Sequence, residues 1–228
     1  MPTRKRARVI SALISAGPRD SAGLLKSTRQ SRMRNRTRSV ARPMIFTIGH
    51  STRPIEMFVR LLKAHGVQRV VDVRAIPRSR HNPQFNRDQL SPALHRARIH
   101  YKHLAGLGGL RHARPDSGNT GWRNASFRGY ADYMQTREFE DSLVRCIELA
   151  KKERVVLMCA EAVPWRCHRS LIADALLARG FSTSEITSAA RTRPHVLTPW
   201  ARVRGTQVTY PAAAPKARVH RRSRVQKL

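Results

Sequence analysis

The sequence predicts an α/β fold: a single three-layer domain with a mainly parallel sheet flanked by helices, plus disordered basic tails. Three observations predict it. Between residues 44 and 190, short apolar runs alternate with longer segments of helical period, which is typical of a parallel sheet covered on both faces. The length of 228 residues suits one domain with tails better than two domains. Finally, basic residues without matching acids fill both ends of the chain, as in segments that cannot build a core.

The elements follow in order along the domain. Residues 45–48 form a short apolar run that ends at Gly49, which predicts a buried strand. Residues 54–65 repeat apolar side chains on one helical face and stop at Gly66, which predicts a helix. By the same criteria we expect strands over 69–73, 99–104 and 154–159, helices over 88–98, 130–134 and 137–152, a last helix from 164 or 165 to 179, and long loops over 74–85 and 105–125.

The charge divides the chain into three parts. The whole sequence carries a net charge of +31, of which residues 1–43 supply +11 and residues 191–228 supply +10. We therefore expect a basic disordered N-terminal extension over 1–43, the domain over 44–190 and a basic C-terminal tail over 191–228. Such a charge favours nucleic acid or another polyanion, such as an anionic membrane surface, as a partner. Because most of it lies in the tails, it says less about a site within the domain.

The number of cysteines and the hydropathy of the sequence indicate the cellular compartment of the protein. Three cysteines are an odd number, and the sequence shows no secretory signal, so we expect free thiols in a reducing cytoplasm. No apolar stretch approaches the ~18 residues of a membrane span, so no transmembrane segment is expected. The Arg- and Ser-rich start of the chain is also typical of organelle transit peptides, and that alternative stays open.

Polar residues follow three of the predicted strands. In parallel sheets the carboxyl ends of the strands meet at one edge, and ligands bind in the crevice there. We therefore expect these residues to converge on one site. The three clusters are Gly49-His50-Ser51, Asp72-Val73-Arg74 and Cys159-Ala160-Glu161.

Cys159 is the predicted nucleophile. It ends a strand a few residues before a helix, and a helix N-terminus both binds anions and favours the reactive thiolate. We expect substrate anions to bind to Arg74, Arg166, Arg169 and Ser51. The layout is similar to that of cysteine phosphatases and rhodaneses. However, six residues separate Cys159 from Arg166, one more than a phosphatase loop has, and Glu161 adds a negative charge that a phosphate site disfavours.

The remaining candidates each have a functional and a structural interpretation. Glu161 and Asp72 could be general acids or bases, or they could be carboxylates paired with arginines. His50 could transfer protons, or it could bond to a neighbouring backbone group, and His168 could also transfer protons. Cys159, Cys167 and His168 could bind zinc, but their spacing is not a recognised zinc pattern, so we predict no metal. Cys167 could instead be a small buried residue packed on the sheet.

An ordered set of motifs resembles the domain-of-unknown-function family 488. The resemblance covers residues 44–190, and it implies a compact α/β domain of a mostly prokaryotic cytoplasmic family without a settled activity. It identifies no substrate, and the cofactor stays unknown. Its most distinctive motif is matched by Cys159, Glu161, Cys167, His168 and Arg169. The earlier parts are Phe46-Thr-Ile-Gly-His-Ser51, Asp72-Val-Arg74 with Pro77, Ser79 and Phe85, then Tyr101, His103, Leu107-Gly-Gly109, Ser126-Phe-Arg-Gly-Tyr130 and Met134.

Three hypotheses about function follow from these patterns. The first is an enzyme with a reactive Cys/Glu/Arg site that acts on a phosphate-bearing or nucleic-acid substrate. The second is a non-catalytic nucleic-acid-binding protein that uses its basic tails. The third is a thiol or metal site for redox sensing.

Overall fold

The structure is a computed structural model that describes residues 43–212. Its strands are β1 (Ile45–Gly49), β2 (Arg69–Asp72), β3 (His100–His103), β4 (Val155–Cys159), β5 (Thr183–Ile186), β6 (Thr192–Pro194), β7 (Arg202–Arg204) and β8 (Gln207–Thr209). Its helices are α1 (Ile55–Ala64), α2 (Arg87–Arg96), α3 (Ala125–Tyr133), α4 (Arg137–Lys152) and α5 (Arg169–Ala178). Single 3-10 turns span Pro83–Phe85, Ala105–Leu107 and Pro164–Arg166. Across residues 43–212, the helices lack the combination of length and apolar character that crossing a membrane requires.

Six strands form one sheet in the order β3-β2-β4-β1-β5-β6. The first five strands are parallel, and β6 pairs with β5 in the antiparallel direction. Strands β7 and β8 form a separate antiparallel pair. The predicted mainly parallel α/β domain is therefore confirmed.

Two apolar cores cover the two faces of this sheet. The side chains of β4 alternate between them, because successive residues of a strand point to opposite faces. Val155, Leu157 and Cys159 join the core built with α4 and α5. Val156 and Met158 join the core built with α1 and α2. This alternation directs the Cys159 thiol towards the face that α5 covers.

Two of the helices differ from their predicted extents. Helix α3 begins at Ala125 rather than Tyr130, because the side chain of Asn124 caps it by accepting hydrogen bonds from the amides of Ser126 and Phe127. The predicted helix over 164–179 is instead two elements, the turn Pro164–Arg166 and helix α5. Cys167 separates them, because its backbone is extended.

The structure corrects the predicted C-terminal boundary. Ordered chain continues past residue 190 through β6, β7 and β8. A buried carboxylate explains why: Asp174 of α5 accepts hydrogen bonds from the Tyr210 hydroxyl at 2.8 Å, His195 Nε2 at 2.8 Å and the Thr198 amide at 3.1 Å. These bonds tie the segment to the domain. The predictions for residues 1–42 and 213–228 lie outside the described residues.

Strand β5 was not predicted at all. Its sequence Thr-Ser-Glu-Ile is mostly polar, yet all four residues are buried because β5 lies between β1 and β6. Polar residues at an internal strand position give no apolar run by which a sequence pattern could detect them.

We expect Tyr210→Phe to destabilise the protein, because the change removes a hydrogen bond to the buried Asp174 carboxylate. The cost should be about 1–3 kcal/mol in the free energy of unfolding, measured in urea. Val203→Ala is the control, since Val203 is an exposed residue of β7 in the same segment and should change stability by less than ~0.5 kcal/mol. Equal effects of the two changes would contradict the anchoring role of Tyr210.

Candidate active site

The carboxyl ends of β1 and β4 bring two of the predicted clusters together. Gly49 pairs with Cys159 in the sheet register. The amides of His50 and Ser51 then bond to the carbonyls of Cys159 and Ala160, both at 2.9 Å. The carbonyl of Glu161 lies so close to Gly49 that a side chain there would overlap it. A glycine at the end of β1 is therefore what allows the loop after β4 to cross this edge.

Two thiols meet at this edge. The sulfur atoms of Cys159 and Cys167 lie 2.7 Å apart without a disulfide bond between them, and both residues are buried. Cys159 comes from the end of β4 and Cys167 from the extended residue before α5. The break in the predicted last helix is what turns Cys167 towards Cys159.

His168 is oriented towards the Cys167 thiol. Its Nε2 lies 2.9 Å from the carbonyl oxygen of Val73, and because a carbonyl only accepts, Nε2 carries the proton that it donates. The other ring nitrogen, Nδ1, lies 3.8 Å from the Cys167 sulfur. Nδ1 is thereby the atom available to exchange a proton with this thiol.

Arg169 places a buried positive charge beside the thiols. Only 1% of the residue is exposed. Its Nη2 donates to the Glu161 carbonyl at 2.8 Å, and its amide lies 3.5 Å from the Cys167 sulfur. Its Nε and Nη1 are buried with no hydrogen-bond partner among residues 43–212. A buried charge without an ion-pair partner in direct contact is costly, so Arg169 favours negative charge nearby, both on the thiols and on the more distant Glu185 carboxylate.

The two thiols differ in acidity for this reason. Burial alone would raise the pKa of Cys167, but hydrogen bonds from Cys159 and His168 and the charges of His168 and Arg169 lower that pKa well below its usual value. Burial, the hydrogen bond with Cys167 and its negative charge raise the pKa of Cys159 well above its usual value. The opposite directions of these two pKa shifts favour Cys167 as the thiolate of the pair, and the Arg169 amide and His168 Nδ1 that face its sulfur favour the same assignment. The thiolate is the nucleophilic form of cysteine.

Arg74 and Asp72 form a buried pair behind this centre. The guanidinium of Arg74 bonds to both carboxylate oxygens of Asp72, at 2.9 and 2.6 Å, and to the Phe85 carbonyl at 2.8 Å. The Tyr101 hydroxyl donates to the same carboxylate at 2.8 Å. With its oxygens occupied, Asp72 positions Arg74.

His50 also supports Arg74. Its ring stacks on Phe85 with centroids 4.1 Å apart, and its Nδ1 donates to the Ser51 carbonyl at 2.8 Å. Burial, together with the charge of Arg74, lowers the pKa of His50 to about 4, although the Ser51 bond opposes this shift. Neutral His50 then accepts a hydrogen bond at Nε2 from Arg74 at 3.3 Å. This arrangement favours a positioning role.

A cavity of about 430 Å³ opens onto the thiols. Five of the predicted site residues line it: Arg74, Cys159, Glu161, Arg166 and His168. The side chains of Glu161 and Arg166 are exposed at its rim. The other four predicted site residues do not line the cavity. Asp72 and His50 bond to Arg74. Arg169 donates to the Glu161 carbonyl, and the Ser51 amide donates to the Ala160 carbonyl.

Sequence reasoning missed several cavity residues. Cys167 was considered only as a metal ligand or a core residue, yet it lines the cavity beside Cys159. Its position next to His168 and Arg169 in the sequence was the available signal. Gly109 and Tyr130 also line the cavity, and the Tyr130 ring lies 5.0 Å from that of His168. Over residues 43–212, no group of three or more His, Cys, Asp or Glu side chains is arranged to hold a metal ion.

A comparison with protein-family models gives one match. The model described as "Domain of unknown function DUF488" matches residues 54–176, more than half of the chain. The chain belongs to this family. No curated protein and no solved structure matches the chain. The DUF488 match includes both thiols, His168 and Arg169, whereas β1 with Gly49 and His50 lies outside it.

We expect alkylation of Cys167 by iodoacetamide to persist at lower pH than that of an ordinary thiol, whose pKa is about 8.5. The lowered pKa of Cys167 keeps the thiolate present below that value, and the rate should fall only when the pH drops through the folded pKa. Cys159→Ala should shift the profile to higher pH, because it removes a hydrogen bond to the thiolate. The measurement is the alkylation rate of each cysteine against pH by peptide mass spectrometry.

Cys146 is the internal control for this experiment. It is buried in α4, and burial raises the pKa of its thiol to about 12, so it should react only after unfolding. A Cys167 profile centred at the ordinary thiol value would count against a stabilised thiolate.

Proposed function

We propose that this DUF488 protein is an enzyme that uses the Cys167 thiolate as a nucleophile on a phosphate-bearing substrate. The supporting observation is the 2.7 Å contact between the two thiols in a cavity that also contains His168. A small buried residue that serves only to pack needs neither a polar partner nor access to a cavity. The proposal assigns the nucleophile to Cys167 rather than to Cys159, because His168 Nδ1 and the Arg169 amide face the Cys167 sulfur, whereas the Cys159 sulfur faces the Glu161 carbonyl oxygen.

The reaction proceeds in two steps. The Cys167 thiol first transfers its proton to Nδ1 of His168. The sulfur then forms a bond to the electrophilic atom of the substrate, the bond to the leaving group breaks, and the leaving group takes this proton from Nδ1. Water then attacks the covalent intermediate, its proton passes to a base, and the Cys167 thiolate departs. Glu161, an exposed carboxylate at the cavity rim, is the proposed base for the second step.

Arginines support an anionic substrate. Arg74, Arg78 and Arg166 line the cavity, and guanidinium groups bind phosphate through paired hydrogen bonds. Arg74 is fixed by Asp72, whereas Arg78 and Arg166 are exposed and can adjust to a ligand. Arg78 and Arg166 give the cavity a positive charge that Glu161 offsets in part, whereas the charge of Arg74 is paired with Asp72.

Exposed apolar side chains favour a nucleotide or single-stranded nucleic acid as this substrate. Ile76 and Leu110 line the cavity with 64% and 79% of their surfaces exposed. Trp165, next to Arg166, is 62% exposed, and the guanidinium of Arg193 lies 5.1 Å from its ring centroid. Aromatic rings stack on bases while arginines contact phosphates, and aliphatic side chains can pack against the faces of bases. The net charge of +31 over the whole sequence would strengthen such binding. Three buried free thiols suit a cytoplasmic location.

Cys167→Ser tests the catalytic proposal. With single-stranded oligonucleotides and nucleotides as substrates, we expect turnover by the full chain to fall by roughly a thousandfold or more, as for other removed nucleophiles. Oligonucleotide binding should remain, because the arginines are unchanged. Cys146→Ser is the matched control and should retain full turnover. Binding without turnover in the unchanged protein would instead support a non-catalytic nucleic-acid-binding protein.

Arg166→Ala tests the anion-binding role. We expect weaker binding of a fluorescent single-stranded oligonucleotide and a decrease of about 1 in the slope of log affinity against log salt concentration. Arg145→Ala removes an equally charged, exposed residue from α4, away from the cavity. Identical losses for the two variants would show that the cavity arginines have no special role.

A further inference from the structure

We propose that Cys159 and Cys167 form a dithiol that reduces a hydroperoxide and closes to a reversible intramolecular disulfide. This activity uses the site described above but does not depend on a phosphate-bearing substrate. It assigns a second class of reactant, a small hydroperoxide, to the same cavity.

The two sulfur atoms already lie close enough for a bond to require only a small movement. They are 2.7 Å apart, compared with about 2.05 Å in a disulfide. The segment between them is a connection in which Ala160, Glu161, Trp165 and Arg166 are exposed. The carbonyls of Ala160 and Glu161 are held by Ser51 and Arg169. The approach of the sulfurs therefore requires movement only in the later part of the connection, before Cys167, where exposed residues leave few buried contacts to oppose it.

The environment of Cys167 suits the first oxidation step. The thiolate attacks one oxygen of the hydroperoxide, the O–O bond breaks, and the sulfur becomes a sulfenic acid. The departing alkoxide, or hydroxide from hydrogen peroxide, takes a proton from Nδ1 of His168, 3.8 Å from the sulfur. The Arg169 charge stabilises the thiolate before the attack. Both cysteines line the open cavity, so a small peroxide reaches them.

The position of Cys159 suits the second step. Its sulfur attacks the sulfenic sulfur of Cys167, the S–O bond breaks, and the thiol proton leaves with the hydroxyl group as water. Overall, two thiols and one hydroperoxide give a disulfide, an alcohol and water. A dithiol reductant such as dithiothreitol restores both thiols. With the resolving thiol already in contact, the sulfenic acid is short-lived and is protected from further oxidation.

Cys146 provides a control within the same chain. It lies in the α4 core with its pKa raised to about 12 by burial, so little of it is thiolate at neutral pH. Because the reactive form is the thiolate, Cys146 should remain reduced while the other two cysteines are oxidised.

The test uses the full chain, reduced and freed of reductant, with one equivalent of hydrogen peroxide at pH 7. We expect loss of two titratable thiols, a peptide cross-link between Cys159 and Cys167, and a rate about tenfold above that of the urea-unfolded chain, where the thiols are ordinary. Dithiothreitol should restore both thiols. Cys159→Ser should stop at a sulfenic acid on Cys167 that dimedone traps, and Cys146→Ser should behave like the unchanged protein.

Three outcomes would overturn the proposal: oxidation of Cys146 at a similar rate, disulfides between chains in place of the internal one, or a folded protein no faster than the unfolded chain. These readouts come from the unchanged protein, so they hold even if a cysteine variant does not fold. They also separate this proposal from the phosphate-directed enzyme, since disulfide formation without turnover of oligonucleotides and nucleotides would support the dithiol and contradict the enzyme.

Discussion

The buried guanidinium of Arg169 is the charge around which the rest of the site is arranged. Arginine remains protonated in proteins, and an unpaired buried ion costs several kcal/mol. Arg169 makes no ion pair with a carboxylate within 4 Å in the described chain, and two of its nitrogens lack hydrogen-bond partners there. The thiolate proposed on Cys167 would compensate this charge, in addition to the more distant Glu185 carboxylate. The thiolate in turn would be costly in the same apolar surroundings without the guanidinium, so the two charges stabilise each other.

The charge of Arg74, the other buried arginine of the site, is compensated in a different way. The Asp72 carboxylate forms an ion pair with its guanidinium. The other guanidinium N–H groups donate to neutral His50 and to the Phe85 carbonyl. Arg74 is thereby a fixed donor with little uncompensated charge. The contrast between the two buried arginines is the reason that we propose thiol chemistry beside Arg169. It also explains why Asp72 and His50, which resemble catalytic groups in the sequence, are better placed to hold a side chain than to exchange protons with a substrate.

Much of the fold could be predicted from the sequence because hydrophobic period and turn residues report local structure. The parallel strands β1, β2 and β4 and the helices α1 and α4 were predicted in this way. Strand β5 was not, because its burial depends on its sheet neighbours rather than on its own composition. The meeting of polar clusters at the sheet edge followed from topology alone. Which residues line the cavity depends on side-chain packing, and the contact between Cys159 and Cys167 depends on a break in a segment whose period resembles one helix.

The backbone holds the two cysteines to different degrees. This difference supports the proposed roles, in which Cys167 is the nucleophile and Cys159 is its proton donor or resolving thiol. Cys159 is the last residue of a strand paired with β1 through Gly49, so its sulfur is fixed relative to the sheet. Cys167 lies in the extended residue between a 3-10 turn and α5, where a change of backbone angles moves the sulfur without disturbing the sheet. A nucleophile must follow the atom to which it bonds, and a proton donor or resolving thiol must remain in place. The sheet therefore holds Cys159, and the connection after β4 carries the proposed nucleophile Cys167. A reversible disulfide between the two residues requires the same arrangement.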